Sequence, residues 1–342
     1  MIRTKTTLVI GPGAGLEIEL PDKRELLGKI AAGFDFARLG AELQTRDMYM
    51  LAKHFDKFCR QMGSTRERLM EAAQAIRVAA RVGTTIDAVM EQHNSNPLAL
   101  AAAKLAIVYF TLQAEARSPL MIEPRDVGDL PLRGSENWLF HLGRLITSGV
   151  PRNRAEQAFD NLTIINFNFD RSVQHYLPFV VSMAFGMTLA DARALVGAKL
   201  NITHPFGNIG RLPWEPGERP DVDWGNEEPW NLHNLAKEVQ TSSERLSNRQ
   251  YVTGLHGAIA GSKKIVFLGC DFDPQTIDYL FDYSLSHDPD IIAAVQGMNE
   301  PSQLAALRTL KRRAGIEDDA LISILDMRCY NLMRDYALFL ES

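Results

Sequence analysis

Four short segments of this chain concentrate residues able to hold a phosphate, position a water or accept a proton. The first is Leu8-Val-Ile-Gly-Pro-Gly-Ala-Gly15. Glycines between a strand and a helix permit positive φ angles and close backbone approach, and a helix N-terminus offers free N–H groups to a pyrophosphate. A hydride-transfer fingerprint would read G-x-G-x-x-G, with an acid ending the next strand about 20 residues on. Here the glycine spacing differs and Asp35 leads into helical sequence, which argues against a nicotinamide-dependent dehydrogenase. A tight strand-to-helix turn with no ligand is the competing reading.

The second segment, Thr163-Ile-Ile-Asn-Phe-Asn-Phe-Asp170, gathers polar groups at the end of an apolar run, where open α/β sheets place their ligands. Asn166, Asn168 and Asp170 alternate and share one face of an extended chain. Asp170 suits a helix cap as well as a ligand contact, whereas Asn168 has no such structural duty. The third segment is Asn201-Ile-Thr-His-Pro-Phe-Gly207, in which His204 stands where a strand gives way to a loop. His256, in Gly254-Leu-His-Gly-Ala-Ile, is its rival, but lies in a helix-to-strand connection. The fourth is Ile265-Val-Phe-Leu-Gly-Cys-Asp-Phe-Asp-Pro274. Cys270 at that tip reads as a small residue beside a ligand; no base is tied to it, as a nucleophilic thiolate would require.

The elements that must position these groups follow from the apolar pattern. Runs at Leu8–Ile10, Leu162–Phe167, Ile265–Leu268, Ile291–Val295 and Leu321–Leu325 are short and rich in Ile, Val, Leu or Phe, as buried parallel strands are. Helical stripes follow them, such as Leu26, Leu27, Ile30 and Phe34 after the cap pair Asp22/Glu25, and Val173, Leu177, Val180 and Val181. This rhythm predicts an α/β fold: a Rossmann-like open, mainly parallel sheet with helices on both faces. Between about 36 and 158 the strand signal vanishes and stripes such as Leu51, Phe55 and Phe58 take over. The expected organisation is a sheet domain of residues 1–34 and 160–342 with an inserted helical lobe, 35–159. Arg211–Trp230, dense in Pro, Gly and Trp, reads as a long ordered loop.

Composition narrows the class. In 342 residues, 46% are hydrophobic and 23% charged, and the net charge of −5 gives no general reason to hold a polyanion such as nucleic acid. Three cysteines (Cys59, Cys270, Cys329), with no CxxC, build neither a disulfide framework nor a four-cysteine zinc site, so a cytoplasmic location and no metal are expected. The most apolar stretch, Leu98–Leu112, contains Lys104 and falls short of the ~20 residues a bilayer needs. The run before Gly11 is too short for a signal peptide.

Taken in order, the segments resemble the sirtuin-like family of nicotinamide-dinucleotide enzymes. That family's Gly-Ala-Gly-Ala-Ser loop and following Ile/Leu-Pro-Asp-Phe-Arg are matched in register by Gly11-Pro-Gly-Ala-Gly15 and Leu20-Pro21-Asp22-Lys-Arg24. Its Thr-Gln-Asn-x-Asp strand end resembles Asn166-Phe-Asn-Phe-Asp170, and its histidine matches His204. Its Gly-Thr-Ser loop matches Gly269-Cys-Asp271, and its adenosine loop Gly297-Met-Asn299. The likeness covers residues 1–34 and about 160–300. Gly15 replaces the family's serine, Glu19 stands where glycine is usual, and the zinc ribbon of the deacetylases has no counterpart. The match is closer to the bacterial sirtuin-like proteins of antiphage defence, which degrade the dinucleotide.

The resemblance implies cleavage of the nicotinamide–ribose bond of NAD through an oxocarbenium-like centre. On this reading Gly11, Gly13, Ala14 and Gly15 hold the pyrophosphate near Asp22 and Arg24. Asn166, Gly269, Cys270, Gly297 and Asn299 complete the dinucleotide site. Asn168 positions water and the ribose, Asp170 supports that loop or the nicotinamide, and His204 is the base. A freely active hydrolase would drain its host's cofactor, so a homo-oligomer or a regulatory protein partner is expected. The alternatives are a non-catalytic sensor of the dinucleotide or ADP-ribose, which Gly15 favours, and a deacylase or ADP-ribosyltransferase.

Overall fold

A computed structural model describes residues 1–36, 45–121, 129–132, 134, 136–246, 249–281, 285–318 and 321–342. Its centre is one six-stranded sheet in the order β3-β2-β1-β4-β5-β6, with β1 Thr6–Ile10, β2 Leu162–Asn166, β3 Asn201–Thr203, β4 Lys264–Leu268, β5 Asp290–Ala294 and β6 Ile322–Leu325. Every neighbouring pair is parallel. The five apolar runs all fall in strands, and the sixth strand, short and partly exposed at the edge, ends one residue before His204.

Strand side chains alternate between two apolar clusters. Val9, Ile165, Ile265, Phe267, Ile291 and Ala293 face one; Leu8, Ile10, Ile164, Val266, Leu268 and Ile292 face the other. Strands buried on both faces need no polar alternation, which is why they read as unbroken apolar runs. Each such Val, Leu or Ile contributes roughly 1.5–3 kcal/mol by leaving water. The helices Trp138–Thr147, Ser172–Phe185 and Cys329–Asp335 cover the second face.

The first face is covered by helices that include Lys23–Gly33, Arg46–Gln61, Arg66–Ala79, Ile86–Gln92 and Pro97–Arg117. The described residues between 46 and 159 are free of strands, as the apolar stripes predict. Helices 46–117 share one continuous apolar cluster with the sheet. Caps set their starts: Thr45, Thr65, Thr85 and Asn96 each accept a backbone N–H, and Pro97 follows at the first helical position.

Pro97–Arg117 is longer than the apolar stretch suggests. At 21 residues with a mean hydropathy of 1.5 it meets the length and apolarity of a membrane span, yet 78% of its most apolar window is buried inside the protein. Apolar side chains all round are what a central core helix requires.

The loop 211–230 contains neither strand nor helix and is fastened by a buried cation. Arg171 donates to the carbonyls of Arg211 and Val222, and to Glu115 of the core helix, which also accepts from Gly225 N. Of the loop's tryptophans, Trp224 stacks on His175 at 4.3 Å and Trp214 is partly buried, but Trp230 is 84% exposed.

Candidate active site

Register brings the four segments to one edge. Ile10 lies opposite Asn166 on one side and Leu268 on the other, so the loops after β1, β2 and β4 leave the sheet at one level. β1 and β4 are where the strand order reverses, the position at which open sheets leave a crevice.

The glycine turn packs directly against the β4 loop. Gly13 N donates to Gly269 O at 2.9 Å. A Cβ on Gly11 would come within 2.6 Å of Cys270 Cα, and one on Gly269, whose φ is +62°, within 2.2 Å of Ala14 N. The turn continues as a 3-10 helix, Pro12–Ile18, before the α-helix Lys23–Gly33 that Asp22 caps. Trp138 Nε1 donates to Ala14 O and Ser118 Oγ to Ile18 O, so residues between β1 and β2 clamp this turn. Gly13 lines an open cleft, whereas Gly11, Ala14 and Gly15 are buried behind it.

At the end of β2, Asn166 folds an Asx turn by accepting the Asn168 N–H at 3.0 Å. Its Nδ2 is buried and has no hydrogen-bond partner. Asn168 reaches across to the first segment, donating from Nδ2 to Gly11 O at 3.1 Å. Asp170 accepts from Ser172 N in a second Asx turn just ahead of the helix Ser172–Phe185, whose N-cap position is Arg171. Burial pushes the Asp170 carboxyl upwards, against the lowering effect of that bond.

His204 joins the same chain of bonds. Its Nδ1 lies 3.0 Å from the Asn168 carbonyl oxygen, and its Nε2 2.9 Å from Gln174 Nε2. The loop is turned by Gly207, whose N–H donates to His204 O and whose φ of +75° places Glu238 O only 1.8 Å from a would-be Cβ. Burial pushes the imidazole down to about 4, with Arg219, Arg171 and Arg245 adding to the effect, so the ring is neutral near pH 7. It borders a cavity of about 520 Å³ walled by Trp214, Pro216 and Arg219 among others.

The cleft over the β1–β4 reversal is larger, about 910 Å³, within the usual range of small-molecule sites. Gly13, Asp22, Arg24, Gly269, Cys270 and Gly297 line it, and so do Thr84, Thr85 and Asp87 at the start of the helix Ile86–Gln92. Asp22 and Asp273 also lie there as helix caps, and Glu17 accepts from the backbone of Trp138 and Tyr330. Lys23 is bound to Asp87 at 2.6 Å; burial works against its charge, but that carboxylate holds the ammonium above its ordinary range. Arg24 and Arg328 are the exposed cations of this lining. Burial raises the Cys270 thiol well above its ordinary range, so it is no thiolate nucleophile. Asn299 caps the helix Glu300–Ala314 through Ser302 N and is not part of the cleft wall.

The structure therefore brings the glycine turn, Asn168 and His204 into one hydrogen-bonded line, but cleft and cavity share no lining residue. Phe206, under Lys23 at 5.1 Å, lines the cleft two residues from His204. His256 bonds Tyr279 O and borders neither space. Gln174, Lys23, Asp87, Arg328 and the Arg171–Glu115 pair carry no local signal in the sequence, because each takes its meaning from a partner distant in the chain. No described cluster of His, Cys, Asp or Glu has the grouping to hold a metal ion.

The fold and cleft together define a doubly wound α/β protein with a ligand-sized crevice at its topological switch point. Compared with protein-family models, curated proteins and solved structures, the chain matches none.

Proposed function

We propose that the protein hydrolyses the nicotinamide–ribose bond of oxidised nicotinamide adenine dinucleotide, releasing nicotinamide and ADP-ribose. The observation that carries this reading is the line Gly11 O to Asn168 to His204, which sets an amide and a neutral imidazole beside a glycine turn. The pyrophosphate lies over Gly13 near Arg24, the adenosine half toward Gly297, and the nicotinamide ribose toward Asn168 and His204. Nicotinamide leaves with the bond's electron pair and needs no acid to protonate it. A water oxygen bonds the ribose C1′, and His204 Nε2 takes the water's proton.

In the present conformation Asn168 Nδ2 is occupied by Gly11 O, and the cleft and the cavity share no lining residue. The reaction accordingly requires a rearrangement that frees Asn168 and joins the two spaces. This closed state supports a regulated enzyme, switched on by a partner or by assembly. A role in antiphage defence rests on the sequence resemblance alone. The same closed state favours a second reading, a sensor that binds the dinucleotide without cleaving it.

The test is nicotinamide release from the oxidised dinucleotide, with and without its 2′-phosphate, followed by chromatography while binding is measured calorimetrically. Release that disappears in His204→Ala with binding retained supports the hydrolase; binding without release in any assembly state supports the sensor. O-Acetyl-ADP-ribose formed from an acetylated peptide would instead revive the deacylase.

A further inference from the structure

His204 is held at both ring nitrogens, and the two partners differ in kind. Nδ1 faces the Asn168 carbonyl at 3.0 Å, which can only accept, so in the neutral ring Nδ1 carries the hydrogen. Nε2 then presents its lone pair, and the group 2.9 Å away must donate; it is the side-chain amide of Gln174. Gln174 sits in the first turn of the helix Ser172–Phe185 and is 3% exposed. Its other amide atom, Oε1, is enclosed and has no hydrogen-bond partner. A buried amide oxygen left unsatisfied is costly, so this one marks a state in which it is used.

We propose that Gln174 is a positioning residue serving both protonation states of His204: its N–H bonds the bare Nε2 at rest, and the amide turns over so that Oε1 accepts the Nε2–H once the ring has taken a proton. An amide is the side chain suited to this exchange, because it carries a donor and an acceptor in one flat, uncharged group. A carboxylate would hold the imidazolium permanently, and a thioether of similar shape would serve neither state. The charged groups facing the ring make a neutral partner useful. Arg171, Arg219 and Arg245 oppose a second positive charge, while Glu215 and Glu238 line the adjoining cavity and Asp170 lies in the preceding turn. The Gln174 N–H leaves the single Nε2 lone pair as water takes its place, the water oxygen bonds C1′ while nicotinamide departs with the electron pair of the C1′–N bond, and the proton on Nε2 is then held by Oε1. The catalytic half of the inference rests on the proposed hydrolysis; the pairing itself does not.

The experiment is ¹⁵N NMR of the full chain labelled in histidine and glutamine side chains. At neutral pH the Nδ1–H tautomer and a coupling across the hydrogen bond from Gln174 Nε2–H to His204 Nε2 are expected in the native protein. In Gln174→Glu the midpoint of the His204 titration moves up by roughly one to three pH units, and the pH profile of nicotinamide release moves with it. In Gln174→Met release falls roughly tenfold with binding retained. An Nε2–H tautomer, a missing coupling, or an unmoved titration in Gln174→Glu would overturn the proposal. The native tautomer and coupling decide the matter even if neither variant folds. If they are as expected and no assembly releases nicotinamide, the hydrolase reading fails while the pairing stands.

Discussion

Arg171 and Glu115, 56 residues apart in the chain, form an ion pair in which neither side chain is exposed. The guanidinium is also bonded to carbonyls of the 211–223 segment, so the pair ties the wall of the His204 cavity to the core helix. Removing one member leaves the other charged and buried without compensation. Arg171→Met is expected to lower unfolding stability by about 3–5 kcal/mol in denaturant titrations. The double variant Arg171→Met/Glu115→Leu should recover most of that loss, and a double variant worse than either single would contradict the account.

His204 gives the proposed reaction its pH dependence. Burial holds the folded-state imidazole at about 4, so the basic form persists well below neutrality and is lost only as pH falls through that value. The kcat/KM for nicotinamide release should be nearly flat from about pH 8 to about pH 6, then fall at lower pH. His204→Ala should reduce it by roughly 10²–10⁴-fold. A profile with an acid limb near 6.5, the ordinary histidine value, would mean that another group is the base.

Gly269 tests whether the glycine turn and the β4 loop work as one unit. Its φ of +62° already disfavours a side chain, and an added Cβ would sit 2.2 Å from Ala14 N. Gly269→Ala should cost at least about 1–3 kcal/mol of stability and abolish dinucleotide binding, read by thermal unfolding and calorimetry. Gly254→Ala, in a helix with open space around the glycine, is the matched control and should raise stability by about 0.5–1 kcal/mol while leaving binding unchanged.

Cys270 lines the cleft but is buried, its thiol raised well above the ordinary range. Iodoacetamide near neutral pH should leave it unmodified in peptide mass spectra, and Cys270→Ser should retain nicotinamide release within about threefold. Inactivation that tracks its alkylation would assign it a chemical role.

Much of the scaffold was legible because its signals are local. Five strands show as apolar runs, and Asp22 marks a helix start in the sequence as it does in the fold. Asn299 caps a helix through Ser302 N, a duty its side-chain oxygen suits as well as the ligand contact that the resemblance implies. Three tryptophans read alike in the 211–230 loop, yet Trp230 is exposed, because burial there depends on what the folded loop meets. Gln174 and Arg171 lie in a helix start that looks ordinary, and their roles come from His204 and Glu115. The shared core of helices 46–117 and the sheet is equally hidden, because apolar stripes show that a face is buried but not against what.

The partition between the 910 Å³ cleft and the 520 Å³ cavity has a thermodynamic corollary. A molecule lodged over the glycine turn and one touching the imidazole are different species, held in spaces that share no lining residue. Occupancy and turnover thus become independent observables. A melting-temperature rise would register the first, and product formation the second.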